Sequence, residues 1–266
     1  GVQILNIVIS VVRSKFIAIL LGPAGMGIAG LFIATLDLVN RFSSLGIGTS
    51  AVKNVASAAA EDDQYRLSSV VNVVRILVWI TGTFGLLITA IFSPWLSQIT
   101  FGNKEYTLAF IWLSVTLLFQ RLTSGQLVLL QGLRRMEMLA KANVLGSLLG
   151  LMVTVPLYYI YGIDGIVPAI ILSSIFSLIV SWNYSRRVKI TPVKISTKEL
   201  MYEGSDMIKM GILISMSGLM SLGASYVIRV FINNQGGIND VGLFNAGFAI
   251  INTYVGMVFS AMSTDY

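Results

Sequence analysis

Six charged side chains lie inside long apolar runs of the sequence, where an unpaired charge is costly. They are Arg13, Lys15, Asp37, Arg41, Arg121 and Arg229. A charge at the centre of a bilayer costs about 2.5 to 3.5 kcal/mol on the insertion scale, so most of them must face a wet interior or one another. All but Asp37 are cations, and forked arginine donors beside a lysine point charge suit phosphate or diphosphate. The sequence therefore predicts a cationic cavity that binds an anion.

Helical spacing predicts two polar faces among these residues. The first comprises Gln3, Asn6, Ser10 and Arg13, at i, i+3, i+7 and i+10. The second comprises Asp37, Arg41, Ser44 and Gly48, at i, i+4, i+7 and i+11. Arg121 belongs to the polar break 120–124 in another apolar run.

Three of the assignments leave alternatives open. Asp37 and Arg41 can neutralise each other as a structural i,i+4 pair, or Asp37 can serve a coupling ion. Lys15 lies roughly 200° around the helix from Arg13, so it shares that face only by snorkelling. Arg229 is near the end of its run, where its guanidinium can reach water unaided.

Composition excludes several classes of protein. The chain has 266 residues, 55% hydrophobic and 11% charged, with a mean hydropathy of +0.82. An average soluble protein is about 25% charged, so a soluble globular domain is excluded. Because the sequence contains neither cysteine nor histidine, it holds no disulfide, no zinc site of the usual ligands and no histidine-based triad. We expect an all-α polytopic membrane protein that is not an enzyme, without cofactor or metal.

The apolar runs predict about eight transmembrane helices of about 20 residues each. Their approximate ranges are 2–21, 28–51, 68–93, 106–130, 139–160, 165–184, 207–232 and 241–263. Connections after the even-numbered spans are strongly basic, and the others carry Lys104 alone. The basic set is Lys53, Arg66, Arg134, Arg135, Lys141, Arg186, Arg187, Lys189, Lys194 and Lys198. By the positive-inside rule the even connections and the N-terminus are cytoplasmic, which explains the net charge of +6 without nucleic acid.

The sequence also contains an internal repeat. Residues 30–40 read GLFIATLDLVN and residues 242–252 read GLFNAGFAIIN, at a constant offset of 212. The longest connection lies between the copies, and its Ser196 and Glu199 have the capping-box spacing that begins a helix, with Gly204 available to end it. We predict a six-helix bundle over 1–186, a cytoplasmic linker with a short amphipathic helix over 187–206, and over 207–266 the first two helices of a second, truncated bundle.

Four segments carry a family resemblance. They are KFIAILLGPAGMGIAGLF, LGIGTSAVKNVA, QGLRRMEMLAKANVLGSLLG and VGLFNAGFAIINTYVGMVFSAMSTDY. With them the chain resembles the bacterial O-antigen and enterobacterial common antigen flippases, in the polysaccharide transporter family of the multidrug, oligosaccharidyl-lipid and polysaccharide flippase superfamily. On the family pattern Lys15, Lys53, Arg134 and, within one position, Arg229 match basic residues. Arg41 departs from some members, although the related lipid II flippases carry an arginine near it.

The resemblance implies two six-helix bundles around a central cavity in the bacterial inner membrane. The protein would translocate an undecaprenyl diphosphate-linked oligosaccharide, such as an O-antigen repeat unit for lipopolysaccharide, by alternating access. Implied partners are this lipid-linked oligosaccharide, membrane lipids and polysaccharide polymerase machinery, and a sodium or proton gradient could drive transport.

Three alternatives remain open from the residues: a multidrug exporter, a membrane enzyme, and a purely structural assembly partner for a polysaccharide polymerase. A multidrug exporter of the same superfamily would bind cationic drugs and would favour acidic cavity residues, whereas Asp37 is the single intramembrane acid predicted here. A membrane-bound lipid-phosphate sugar transferase would need paired catalytic acids, for which Asp62 and Asp63 are the nearest match. For the flippase we expect Arg13→Ala and Arg41→Ala to abolish export, with partial rescue by lysine.

Overall fold

The computed structural model describes residues 2–61, 63–188, 190, 193 and 197–264, with the side chains of residues 2–4, 7, 197–199, 202, 217 and 252–264 left out. These residues form helices joined by short connections, and none of them is in a strand. The elements are α1 (Val2–Ser43), α2 (Ile47–Ala60), α3 (Gln64–Ile91), α4 (Ser93–Phe101), α5 (Thr107–Gly132), α6 (Met136–Tyr161), the 3₁₀ turn Gly162–Gly165, α7 (Ile166–Ser185), α8 (Thr197–Gly236) and α9 (Ile238–Thr264). The predicted all-α class is confirmed.

In the part of the chain that the structure describes, four helical stretches are long and apolar enough to cross a membrane, and the bent α8 would make a fifth. Two of them each contain two predicted spans. Val8–Ser43 has 36 residues and Met136–Ser185 has 50. At 1.5 Å per residue even the shorter is ~54 Å long, well beyond the ~30 Å of a hydrocarbon core. The protein is therefore a multi-pass membrane protein.

Each of these two long stretches contains a break in the helix. In α1 the interruption is Gly22, whose φ of 64° and ψ of −169° lie outside the helical region, followed by Pro23. Glycine adopts a positive φ without steric cost, and proline removes a backbone donor. Between α6 and α7 the 3₁₀ turn follows Gly162, which has φ 56°. The predicted spans 2–21 and 139–160, and residues 166–184 of the span predicted over 165–184, lie in helix wherever they are described, whereas the predicted span 28–51 is interrupted at residues 44–46, between α1 and α2.

The hydrophobic core has two main parts, which mark the two ends of the bundle. The first core surrounds Phe32, whose ring lies 5.0 Å from Phe101 and 5.3 Å from Phe110 between ring centroids. It lies near the turns after Gly22 and Tyr161. The second core joins α2, α3 and α5 to the fully buried Met207 of α8. Next to it lie the connections α2–α3, α5–α6 and α7–α8, which we call the basic end.

The basic end carries the exposed cations that the sequence assigned to even connections. Those whose side chains are described are Lys53, Arg66, Arg134, Arg135, Lys141, Arg186 and Arg187, and all are exposed. The side chains of Lys189, Lys194 and Lys198 lie outside the described residues. Lys104 is exposed at the opposite end, between α4 and α5. This asymmetry agrees with the sequence, and the cytoplasmic assignment of the basic end remains a prediction.

Helix α8 corrects one local prediction and leaves another untested. Gly204, expected to end a short helix, lies inside α8, where it is buried beside Val73 and Leu77. Because Gly204 has no positive φ and no proline follows it, nothing stops the helix there. The described residues therefore show no separate short helix at 197–204. Ser196, its predicted cap, lies outside the described residues.

The two copies of the repeat pack against each other through α1 and α9. Gly30 and Gly242 occupy the same position in the two copies, and each is in close contact with the opposite helix. A Cβ at Gly30 would meet the Asn245 amide, and one at Gly242 would meet the Pro23 carbonyl. Small residues at such crossings let membrane helices approach closely. The glycine shared by the copies therefore has a packing role.

Candidate functional site

A cavity of about 610 Å³ lies between α1, α2, α5 and α7. All four residues of the second predicted face line it, namely Asp37, Arg41, Ser44 and Gly48. They line the same cavity even though α1 ends at Ser43 and α2 begins at Ile47. Toward the opposite end, the space between the helices is filled by the first core. The four residues that the sequence places on one helical face thus line a single cavity.

A tight turn places Arg41 at the end of α1. Leu45 and Gly46 adopt left-handed conformations, with φ of 47° and 66°. The Ser44 hydroxyl donates to the Arg41 carbonyl at 2.7 Å, which satisfies one of the orphan carbonyls at the helix end. A cation in the last turn is also favoured by the helix dipole. The guanidinium is thus positioned by local structure.

Arg121 is held against the same helix end by a side-chain network. Its Nε donates to Asn40 Oδ1 at 2.7 Å, and its Nη2 donates to the Asn40 carbonyl at 2.9 Å. Asn40 Nδ2 in turn donates to Gln120 Oε1 at 3.0 Å. One arginine therefore ties α5 to the last turn of α1.

The two cavity arginines have no acidic partner in contact. Arg41 and Arg121 are close enough to repel each other electrostatically. Neither forms a salt bridge with Asp37 or any other carboxylate whose position is described, and the Arg41 Nε is buried without a hydrogen-bond acceptor there. The alternative in which Asp37 and Arg41 form a structural pair is not what the structure shows. An anion entering the cavity would find unneutralised donors.

The remaining predicted cations lie outside this cavity. Arg13 approaches Gly150 of α6, where a Cβ would be 3.0 Å from its Nη2, and Lys15 is exposed on the bundle surface. The Arg229 Nε donates to Asn245 Oδ1 at 2.8 Å, and its guanidinium lies 5.5 Å from the Phe248 ring centroid. Arg229 also attracts Asp37 electrostatically. The structure thus brings Asp37, Arg41 and Arg121 to one cavity, places Arg229 near Asp37 but outside the cavity lining, and separates Arg13 and Lys15 from them.

The first predicted face is only partly seen. Asn6 Oδ1 and Arg13 Nε are both buried without a hydrogen-bond partner among the described residues, whereas Ser10 is exposed. The side chain of Gln3 lies outside the described set. Of this face, Arg13 points toward Gly150 of α6 rather than into the cavity described above.

The sequence analysis named the polar break 120–124 but missed the rest of the neutral polar wall of the cavity. Gln120, Ser124 and Gln131 of α5 line it, together with Ser174 and Ser177 of α7. A signal was available, because 120, 124 and 131 repeat at i, i+4 and i+11 and the serines at i and i+3, each on one helix face. Hydroxyl and amide groups of this kind suit a hydroxyl-rich ligand.

We expect Asn40→Ala to weaken the link between Arg121 and α1, because it removes the Asn40 Oδ1 acceptor and leaves the backbone carbonyl. A double-mutant cycle with Arg121→Ala should give a coupling free energy of about 1 kcal/mol or more, because the lost contacts are hydrogen bonds to a charged group. The measurement is reversible unfolding of the full-length protein in detergent. As a control, Ser177→Ala lies on the same cavity but outside the network and should not couple to Arg121→Ala. Additive effects of Asn40→Ala and Arg121→Ala would contradict the anchoring role.

Comparisons with known proteins bear on the fold and the family. A comparison with the curated proteins finds no match. Among solved structures, an inward-facing multidrug resistance MATE family transporter of the MOP superfamily aligns with a TM-score of 0.76 at 19% identity, over 95% of this chain and 60% of its own. The MATE multidrug transporter DinF-BH, solved in a ligand complex, aligns with a TM-score of 0.58 at 15% identity, over 95% and 58%.

At such identities these likenesses establish the fold alone, and the chain spans about 60% of the length of the transporters that share it. Family membership rests on a separate observation. A family model described as polysaccharide biosynthesis protein matches residues 1–264, which is nearly the whole chain. The protein therefore belongs to the polysaccharide biosynthesis protein family.

Proposed function

We propose that the full-length protein is a flippase that moves an undecaprenyl diphosphate-linked oligosaccharide, such as an O-antigen repeat unit, across the bacterial inner membrane. The observation that carries this proposal is the pair Arg41 and Arg121, two cations in a cavity of about 610 Å³ that contact no carboxylate among the described residues. Guanidinium groups bind diphosphate through charge-assisted hydrogen bonds, and the polar wall from Gln120 to Gln131 suits sugar hydroxyls. Family membership supports a polysaccharide substrate.

The mechanism we propose is alternating access between repeat-related halves. The diphosphate and sugars occupy the cavity while the polyprenyl tail stays among lipids, so charge is shielded during transit. In this structure polar contacts join the halves near the first core. Tyr226 Oη lies 2.8 Å from Thr100 Oγ1, and Asn233 Nδ2 donates to the Thr100 carbonyl at 3.1 Å. These contacts would have to open for release at that end.

The proposal extends to orientation and energetics. We place the basic end and the N-terminus in the cytoplasm, because cytoplasmic loops of inner-membrane proteins are rich in lysine and arginine. We assign no cofactor or metal. Asp37 is the residue we propose for a coupling sodium ion or proton, since it lines the cavity without a salt bridge to any residue whose position is described.

A multidrug exporter is the second candidate, favoured by the folds of the two solved transporters. The charge of the cavity weighs against it, because Arg41 and Arg121 outnumber Asp37 and would repel a cationic drug.

A sugar transferase has less support. Asp63 accepts hydrogen bonds from the backbone N–H groups of Tyr65 and Arg66 at 2.8 and 3.2 Å, so it caps α3, and Asp62 lies outside the described residues.

Mass spectrometry of lipid that co-purifies with the full-length protein tests the proposed substrate. We expect a polyprenyl diphosphate glycan, retained by the wild type and depleted in Arg41→Ala, because the diphosphate loses a charged partner. The control is Lys104→Ala, which removes an exposed cation at the opposite end and should leave retention unchanged. Reproducible retention of cationic amphiphiles, without any polyprenyl diphosphate, would instead support the exporter.

A further inference from the structure

Arg75 of α3 is a cation that the cavity does not use. Its side chain is exposed, and within the described part of the chain it forms neither a salt bridge nor a hydrogen bond. It lies beside the exposed apolar side chains of α3, which follow helical spacing and must face lipid. These are Ile76, Trp79, Ile80, Phe84, Leu87 and Ile91. An unpaired arginine on a lipid-facing surface calls for an anionic partner.

The depth of Arg75 can be counted along α3. The exposed Phe92 and Trp95 follow the end of α3, where aromatic side chains mark a membrane interface. About 20 residues back, one hydrocarbon thickness away, lies Asn72. Its amide donates at 2.8 Å to the backbone carbonyl of Val193 in the polar α7–α8 connection, so Asn72 is at the other boundary. Arg75 is three residues further in, roughly 5 Å below that boundary, and its long side chain can reach the phosphate level.

A groove beside Arg75 offers a place for the rest of the ligand. It holds about 40 Å³, and Arg75, Trp79 and Gln126 line it together with apolar side chains of α2, α3 and α5, such as Val74 and Val78. This volume accommodates a few heavy atoms next to the guanidinium rather than a free polar molecule. The Gln126 amide supplies a second donor on the facing helix. Apolar walls with two donors at the hydrocarbon boundary fit a phosphate that carries acyl chains.

We infer that the groove between α3 and α5 is a binding site for an anionic glycerophospholipid, whose phosphodiester is bound by Arg75 and Gln126 and whose acyl chains lie along the exposed apolar side chains of α3 beside the groove. The site is on the outside of the bundle, so it is distinct from the transport cavity. It does not depend on the proposed substrate. It would anchor α3 in the leaflet at the basic end.

The test is native mass spectrometry of the full-length protein released from nanodiscs that contain equal phosphatidylglycerol and phosphatidylethanolamine. We expect the wild type to retain phosphatidylglycerol preferentially. Arg75→Ala should reduce that retention about tenfold, since a hydrogen bond to a charged group is lost, and Gln126→Leu about threefold. Arg75→Lys should be intermediate, because it keeps the charge but loses the forked donor.

Arg135→Ala is the matched control, because it removes an exposed cation at the same end but outside the groove. It should retain phosphatidylglycerol as the wild type does. Equal retention by Arg75→Ala and the wild type would overturn the inference, and so would an equal loss in Arg135→Ala, which would indicate general charge attraction. Polyprenyl diphosphate could also be added as a competitor. If it displaced phosphatidylglycerol from the wild type but not from Arg75→Ala, the groove would be a site for the transported lipid instead. Arg75→Ala and Arg135→Ala should both remain monodisperse in size-exclusion chromatography.

Discussion

Arg41→Ala should lower transport of a polyprenyl diphosphate oligosaccharide by about one to two orders of magnitude in proteoliposomes containing the full-length protein. Each hydrogen bond to a charged group contributes about 1.5 to 3 kcal/mol, and a factor of ten corresponds to about 1.4 kcal/mol. Arg41 is the stronger candidate of the two cavity arginines, because its Nε is buried without an acceptor among the described residues while Arg121 already binds Asn40. Arg41→Lys should recover part of the rate, since it restores a charge without the fork.

Two comparisons make the Arg41 result specific. Lys104→Ala also removes one positive charge, but at the exposed opposite end, and should transport as the wild type does. Arg13→Ala distinguishes the expectation from the structure from the expectation from the sequence, which gave Arg13 and Arg41 the same role. Because Arg13 approaches Gly150 and does not line the cavity, we now expect Arg13→Ala to retain more transport than Arg41→Ala. Wild-type rates for Arg41→Ala would exclude a cationic cavity as the substrate site.

The periodicity of apolar and polar residues predicted the helices well, because helix formation depends mainly on residues that are close together in the sequence. Apolar runs of bilayer length identified the helices, and the Asp37, Arg41, Ser44 and Gly48 face was found from spacing alone. The short helix α4 was missed because its apolar and hydroxyl residues resemble a span end. Its Ser97 and Thr100 are fully buried, which only tertiary packing determines.

The site was harder to predict because burial and pairing are not local properties. Lys15 and Arg13 differ by two positions, yet one is exposed and the other lies against Gly150. Arg121 was predicted as a ligand-binding cation, but its donors are largely engaged by Asn40, 81 residues away in sequence. No spacing rule connects residues so far apart. The sign of a charge can therefore be read from the sequence. Whether that side chain is free to bind a ligand depends on how the helices pack.

Gly46→Ala should destabilise the protein more than any other single methyl group added at the cavity. Gly46 has φ 66°, which costs a residue with a Cβ about 1 to 2 kcal/mol. The new Cβ would also collide with the Gly211 carbonyl and the Ser215 hydroxyl of α8. Overpacking of this kind costs about 1 to 3 kcal/mol. The melting temperature of the full-length protein in detergent should therefore fall by roughly 2 to 9 °C.

Gly48→Ala is the matched control, two residues away on the same cavity wall. Its Cβ would meet only Ser124 Oγ at 3.6 Å, an ordinary contact, and alanine favours the helix that Gly48 occupies. Its melting temperature should equal or slightly exceed that of the wild type. Equal melting temperatures for Gly46→Ala and Gly48→Ala would contradict the close contact between α8 and the turn at Gly46. They would also contradict the position of Arg41 beside that turn. If only Gly46→Ala is destabilised, the crossing is a fixed contact that both holds α8 and sets the end of α1.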